Sequence, residues 1–212
     1  MRLIGMLDSP YVRRVAIAAQ VLQIPFEHDP LSVFSTYERF RAINPLVKAP
    51  TFIADDGTVL VDSALIIDYL ETVAGRRLMP ADLASRTRAL RVTGVAMAAC
   101  DKIVQIVYEH GVRPPEKVHA PWLERVHQQA QAGLAALDAE IAVQAPEIES
   151  LAGLSAAITW RFMQIKLAQP VADATCPALA AFAERAEQLP AFANTPPLET
   201  ANVSTPGYRA PR

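Results

Sequence analysis

The first third of the chain alternates between short apolar runs and stretches with helical periodicity. Short strands are predicted at Arg2 to Leu7 and at Phe26 to Leu31, and a short helix at Ser35 to Ile43. Between the two strands, apolar residues recur at intervals of three and four positions, which predicts a helix. These residues are Val12, Val15, Ala16, Ala19 and Leu22. Because a helix separates the two strands, we expect them to pair in parallel.

The ends of this first helix carry clear local signals. Ser9 is expected to cap the helix, with Pro10 at its first helical position, and Ile24-Pro25 is expected to end it. Arg13 and Arg14 lie off the apolar stripe, so we expect both side chains to face water.

A hairpin followed by a helix is predicted next. Thr51 to Ala54 and Thr58 to Val61 are apolar or β-branched runs, and Asp56-Gly57 between them is a turn signal. Pro50 suits the first position of a strand because it lacks an N–H group. Asp62-Ser63 then begins a helical pattern whose apolar positions are Ile66, Ile67, Leu70 and Val73.

After Pro80 only helices are predicted. Two long helices are expected at Leu83 to His110 and Ala120 to Val143. Leu154 to Ala168 is apolar almost all round, which is typical of a helix buried among others. A last amphipathic helix is marked by Leu179, Phe182, Ala186 and Leu189.

This order of elements predicts an α/β thioredoxin-like N-terminal domain followed by an all-α helical C-terminal domain. We place the first domain at residues 1–77 and the second at 86–195, with a linker and the start of a helix at 78–85 between them. The stretch 196–212 is rich in proline and small polar residues and is expected to be an irregular tail.

Composition excludes several classes of function. The chain has 212 residues and a net charge of −2, so nothing points to nucleic acid. Cys100 and Cys176 lie far apart and the histidines form no ligand-spaced pair, so we expect neither a disulfide scaffold nor a metal site. No secretory signal or membrane-length apolar run is visible, and we expect a cytoplasmic protein that binds no membrane.

The Asp62-Ser63 pair supports two interpretations. Side-chain oxygens at a helix start usually cap the free N–H groups. Alternatively, Ser63 and the helix N-terminus bind a small carboxylate while Asp62 binds an ammonium group. At the other end of the hairpin, a cis bond before Pro50 would turn the N–H and C=O of Ala49 outward, free to pair with an extended peptide; about one X–Pro bond in twenty is cis.

Two linked motifs carry a family resemblance. Asn44, Pro45, Lys48 and Pro50 form an Asn-Pro-x-x-Lys-x-Pro run, and the acidic-Ser pair follows two short strands later. This arrangement resembles the glutathione-binding half of the glutathione S-transferase family, in its bacterial and theta-like branches.

The resemblance implies that glutathione is the co-substrate and that Lys48, Ala49, Pro50, Asp62 and Ser63 bind it. In this family the proline is cis, the preceding residue pairs its backbone with the cysteinyl unit, and the acidic-Ser pair holds the γ-glutamyl group. Lys48 could contact the glycine carboxylate, with a solvated surface lysine as an equal alternative. The branch usually has glutamate where this chain has Asp62, a shorter side chain that reaches the ligand less directly.

Ser9 is the candidate catalytic residue. Glutathione transfer requires the thiolate, and a free thiol titrates near about 8.5. A hydroxyl donor and the positive end of a helix both favour the charged form, and Ser9 combines them. The stretch from Ser9 to Val15 resembles the Ser-Pro-Phe-Val-Arg-Lys-Val stretch of bacterial members, in which the serine takes the catalytic position. Simple helix capping is the alternative role of a bare Ser-Pro.

The resemblance places the electrophile pocket between the domains. Met97, Asp101, Gln105 and Tyr108 recur at three- and four-residue spacing along the long helix, and Tyr11 is expected to be a core or pocket-wall aromatic. Such a stripe is also typical of a core. A buried unpaired carboxylate is costly, so a wet cleft would explain Asp101.

The closing helices extend the resemblance, with one departure. Pro177 to Phe182 and Leu189 to Phe192 resemble the last helices of these transferases. The family opens its buried sixth helix with Ser/Thr-x-x-Asp, a capping box. Here we expect Ser155 at the cap and Ile158 in place of the aspartate, at a cost on the order of 1 kcal/mol.

The sequence therefore predicts a glutathione S-transferase that acts on a small hydrophobic electrophile, in detoxification and as a homodimer. The family forms its dimer through the helix after Ser63 and the long helix. Two alternatives remain open: a non-catalytic binding or regulatory protein of the stringent-starvation type, and a specialised glutathione-dependent lyase, isomerase or dehalogenase. The joint presence of Ser9, Asp62 and Ser63 favours catalysis.

Overall fold

The computed structural model describes residues 1–197, and the N-terminal part of the chain folds into a four-stranded sheet with helices. Its elements are β1 (Arg2–Ile4), α1 (Pro10–Val21), β2 (Glu27–Asp29), α2 (Tyr37–Ile43), β3 (Thr51–Ile53), β4 (Val59–Val61) and α3 (Ser63–Ala74). The first two strands are shorter than predicted. β1 ends where Gly5, at a φ of 136°, turns the chain in a way that other residues rarely adopt.

The pairing of the strands brings three chain segments to one edge of the sheet. The strand order is β2-β1-β3-β4, with β1 and β2 parallel and the other pairs antiparallel, so the predicted parallel pair and hairpin are both confirmed. Thr51 pairs with Ile4 on one side and with Val61 on the other. The segments after β1, before β3 and after β4 therefore lie together.

Helices make up the second part of the described chain, as predicted. They are α4 (Leu83–Gly111), α5 (Ala120–Val143), α6 (Leu151–Lys166), α7 (Pro177–Glu187) and α8 (Pro190–Ala193), with short 3-10 helices at Pro115–Lys117 and Asp173–Thr175. A thioredoxin-like domain followed by a helical domain is thus confirmed. From Leu198 onward the expected irregular tail lies outside the described residues.

Helix α1 is covered on both sides, and this overturns one prediction. It contacts β1 and α3 as well as α6 and α8 of the helical domain, and Arg13 and Arg14 are each only 2% exposed. The expectation that both arginines face water is wrong. The apolar stripe indicates which face of α1 packs on the sheet domain, but not that α6 and α8 cover the opposite face. Arg13 donates to both carboxylate oxygens of Glu187 at 2.7 and 2.6 Å and to the Thr195 carbonyl at 2.8 Å.

Helix α6 begins earlier than predicted. Ser150 caps it, accepting a hydrogen bond from the Gly153 N–H at 3.1 Å, while Ser155 and Ile158 are buried within the helix. The expected cap at Ser155 is therefore wrong. A Cβ at Gly153 would lie 2.1 Å from the Glu147 carbonyl oxygen, so a capping-box side chain has no room at that position.

We expect the Gly153→Ala variant to be less stable, by about 1–3 kcal/mol or more, because the added methyl group collides with backbone atoms. Thermal or denaturant unfolding of the purified protein measures the change. Helix propensity alone predicts the opposite sign, a gain of about 1 kcal/mol for alanine over glycine. A variant at least as stable as the parent would therefore contradict the packing argument.

Candidate functional site

The loop before β3 presents a free stretch of backbone. The Ala49–Pro50 peptide bond is cis. Asn44, which is buried, holds the loop: its Nδ2 donates to Thr51 Oγ1 at 2.8 Å, and its Oδ1 accepts from the Leu46 N–H at 3.0 Å. Within residues 1–197 neither the N–H nor the C=O of Ala49 has a hydrogen-bond partner.

Asp62 and Ser63 begin α3 at the same edge of the sheet. Asp62 is exposed and caps the helix, with its Oδ1 accepting from the Ala64 N–H at 2.8 Å and from the Leu65 N–H at 3.4 Å. Its backbone has a φ of 74°, a sparsely populated conformation for a residue other than glycine. Strain of this kind concentrates at functional sites. The capping geometry is thus present, and it leaves the second carboxylate oxygen of Asp62 free.

Arg14 lies beneath Ser63. Its Nη1 donates to Ser63 Oγ and its Nε to Ser155 Oγ, each at 3.0 Å, so both hydrogen-bond partners are neutral hydroxyls. Burial lowers the pKa of Arg14 to about 10. This value is still well above neutral pH, so the guanidinium remains charged. Asp62 favours this charge from nearby without a hydrogen bond to it. The result is a positive potential under the Ser63 hydroxyl.

Ser9 occupies the third segment, at the start of α1. It is partly exposed, and its Oγ accepts from the Val12 N–H at 3.5 Å, a long and weak capping contact. Pro10 takes the first helical position, as predicted. The Ser9 hydroxyl donates to no residue among 1–197, so its proton is available to an acceptor bound beside it.

Tyr11 pairs across the domains with Asp101. The phenol hydroxyl donates to Asp101 Oδ1, and Asp101 is exposed to solvent. Burial, together with the charge of Asp101, raises the pKa of Tyr11 far above its ordinary value. Asp101 thus lies on the solvent-exposed side of α4 and has a hydrogen-bond partner, so it is not a buried, unpaired carboxylate. The Tyr11 hydroxyl therefore donates its hydrogen bond to Asp101 and not to a ligand.

Beyond Asp101, the same face of α4 continues toward the loop after β2. The Tyr108 ring stands edge-on to Phe34, with the ring centroids 5.7 Å apart. Gln105 lies one turn before Tyr108, and Met97 one turn before Asp101; both are partly buried. Within residues 1–197, Tyr108 and Asp101 of the predicted stripe contact the N-terminal domain through an aromatic or hydrogen-bonded pair, whereas Met97 packs against the hydrophobic core.

An ion pair joins the two domains directly before Ser9. Lys166 Nζ lies 2.8 Å from Asp8 Oδ2, and each side chain is about one-fifth exposed. Sequence reasoning missed this pair, and it also missed Arg14 and Phe34. A contact between residues 158 positions apart leaves no local sequence pattern. Of these residues, only Asp8 could have been noticed, because it is the neighbour of Ser9.

Lys48 lies on the loop before β3, next to Ala49. Its carbonyl accepts from Thr51 Oγ1 at 2.6 Å, while its ammonium group is exposed and forms no ion pair within residues 1–197. In the same part of the chain no three His, Cys, Asp or Glu side chains are grouped as a metal would require. None of the helices described there is long and apolar enough to cross a membrane. Two surface depressions are lined by neither Ser9 nor Ser63: one of about 650 Å³ lies against α1, the loop after it and residues 194–195, and one of about 620 Å³ lies against α6 and α7.

Comparison with known proteins assigns the sheet domain to a family. Residues 3–77 match the family model for the glutathione S-transferase N-terminal domain. A glutathione transferase family member from Pseudomonas fluorescens Pf-5, solved with bound S-(propanoic acid)-glutathione, is 30% identical, with a TM-score of 0.78. The likeness covers 93% of this chain and 99% of that one, and so includes the helical domain.

Curated relatives match over shorter stretches. The uncharacterized GST-like protein YibF of Escherichia coli is 26% identical over 102 residues, 48% of this chain and 50% of the relative. The probable maleylacetoacetate isomerase of Caenorhabditis elegans is 34% identical over 83 residues, 38% of each chain. The chain thus spans half or less of the length of these curated relatives. The match to the P. fluorescens structure extends over both domains, and the chain belongs to the glutathione S-transferase family.

Proposed function

We propose that the chain binds glutathione at the sheet edge and activates its thiol for attack on a small hydrophobic electrophile. The observation that carries this proposal is the convergence of three segments at one edge: the unpaired backbone of Ala49 beside its cis-proline, the Asp62-Ser63 helix start, and the Ser9 hydroxyl. The relative from P. fluorescens, which binds a glutathione conjugate, supports the choice of ligand.

The γ-glutamyl end of the tripeptide carries an ammonium and a carboxylate, and the α3 start offers a match for each. The free carboxylate oxygen of Asp62 is the acceptor for the ammonium. The carboxylate meets the Ser63 hydroxyl, the helix N-terminus and the Arg14 charge beneath them. The cysteinyl unit pairs with the backbone of Ala49, and Lys48 remains the candidate for the glycine carboxylate.

The sulfur then lies beside Ser9. A hydroxyl donor and the first turn of α1 both stabilise the thiolate over the thiol. Lowering the thiol pKa by 2 units, which is about 2.7 kcal/mol, would make the anion the major form at neutral pH. Tyr11 is excluded from this role because it donates to Asp101. The electrophile would bind along Met97, Gln105 and Tyr108.

Glutathione-dependent isomerisation is the second candidate function. It uses the same thiolate, and the 34% identity to the C. elegans isomerase over 83 residues favours it over lyase or dehalogenase chemistry. Assay with a conjugation substrate and with a cis-configured diacid separates the two reactions.

We also propose that the chain forms a homodimer through α3 and α4. Leu65 on α3 is 67% exposed and Leu90 on α4 is 55% exposed. Contiguous exposed apolar surface marks interaction sites, and these two side chains lie on the two helices through which this family forms its dimer. A second copy of the chain would remove both from water.

Removing the Ser9 hydroxyl is expected to lower kcat/KM for conjugation roughly 10- to 100-fold at neutral pH, because the thiolate loses its donor. The Ser9→Ala and Ser9→Gly variants together test this. Glycine keeps most of the cap strength that alanine loses. An equal decrease in kcat/KM in both variants identifies the hydroxyl as the thiolate donor. Near-normal activity in Ser9→Gly would mean that Ser9 acts only as a helix cap. The Ser85→Ala variant, at an exposed position on α4, controls for the handling of serine variants.

The Asp62→Asn variant separates the two roles of Asp62. Asparagine caps a helix about as well as aspartate and tolerates a positive φ, so thermal stability should hold. It lacks the charge that attracts the ammonium, so the Kd for glutathione should rise about tenfold, corresponding to one charge-assisted hydrogen bond. Calorimetric titration measures the Kd. Asp82→Asn, at the exposed cap of α4, is the matched control and should bind normally. Unchanged binding by Asp62→Asn would leave Asp62 as a cap only.

The Leu90→Glu variant should shift the chain from dimer to monomer in light scattering, because a charge is placed in an apolar interface. Val143→Glu, at the 80% exposed end of α5, should leave the mass unchanged. A parent protein that is monomeric at assay concentrations would refute the dimer.

A further inference from the structure

The ion pair between Asp8 and Lys166 stands between the proposed thiolate site and the helical domain. Asp8 directly precedes Ser9, and Lys166 is the last residue of α6. Their charged atoms are 2.8 Å apart and both side chains are largely shielded from water, at 22% and 21% exposure. A cation at the C-terminal end of a helix is also favoured by the helix dipole. The pair is therefore well formed and placed beside the chemistry.

The carboxylate of Asp8 reaches groups in the cleft. Asp8 immediately precedes Ser9, so their Cα atoms lie about 3.8 Å apart. Tyr108 faces Asp8 from α4, and its pKa is raised by burial and then by the Asp8 charge. An unpaired carboxylate there would oppose a thiolate in the same way, since like charges disfavour each other.

The other charged or titratable groups around this point have partners of their own or lie buried. Tyr11 on α1 donates to Asp101 on α4, and Cys100 beneath them is buried, which raises its pKa to about 12. Arg14 is bonded to Ser63 and Ser155, and Asp62 caps α3. Among the residues that the structure describes, Lys166 is the only cation paired with Asp8.

We propose that Lys166 is a positioning residue that neutralises Asp8, so that the carboxylate next to Ser9 does not oppose the glutathione thiolate. This inference rests on the proposed glutathione chemistry. It makes thiol activation depend on the docking of the helical domain, because the neutralising charge comes from α6.

A double-mutant cycle tests the proposal through the pKa of the bound thiol. The pKa is read from the ultraviolet absorbance of the thiolate and from the pH dependence of kcat/KM. In Lys166→Met the bare Asp8 charge should raise the thiol pKa by about one unit, the size expected for a charge several ångströms away in a partly shielded site. In Asp8→Asn the pKa should stay or fall. The double variant should return close to the parent value, which a merely structural salt bridge would not do.

Further variants keep the test decisive. Lys166→Arg should retain the parent pKa, because it keeps the charge. Arg91→Met removes an equal charge from the Arg91–Glu140 pair between α4 and α5 and should leave the thiol pKa unchanged. A thiol pKa that is the same in Lys166→Met as in the parent overturns the proposal. A decrease in kcat/KM that is confined to carboxylate-bearing electrophiles also overturns it, because Lys166 would then be a substrate contact. Failure of the parent protein to bind glutathione in calorimetry would instead refute the proposed function, and the inference with it.

Discussion

The buried charge of Arg14 is the constraint on which the rest of the structure depends. A guanidinium removed from water is costly, and its cost is offset only by well-placed acceptors. Arg14 finds them on two other helices, Ser63 of α3 and Ser155 of α6. One side chain thus fixes α1 against the sheet domain and against the helical domain.

The same helix carries the other polar contacts between the domains. Arg13 reaches Glu187 and the chain after α8, and Tyr11 reaches Asp101 on α4. Asp8, just before the helix, reaches Lys166. Buried polar pairs depend on geometry more strictly than apolar contacts do, because each unpaired group is penalised. These polar contacts therefore fix the position of the start of α1, which Ser9 caps.

Local patterns explain which features could be predicted. The parallel pairing of the first two strands, the Asp56-Gly57 hairpin and the extent of α5 follow from periodicity and turn chemistry, and the structure confirms them. The buried arginines could not be predicted, because a helical stripe shows which face is apolar but not what covers the opposite face. The cap of α6 was displaced to Ser150 because Gly153 fits a close backbone approach that has no sequence signature. For the candidate site, the residues predicted from sequence lie together at the sheet edge, whereas the pairs that join the domains were not predicted.

This division between local and long-range residues has a chemical consequence. In the proposed function, the sheet edge supplies a backbone to pair with, a helix start and a hydroxyl for the recognition of a small peptide. The charged groups of the site are tied to the helical domain: the Arg14 guanidinium donates to Ser155 of α6, and the Asp8 charge is balanced by Lys166 at the end of α6. Helix α6 is apolar over most of its length and packs on α4 and α7, so its position is fixed by the core of the helical domain. Recognition thus belongs to the sheet domain, while the charge balance of the cleft requires both domains in register.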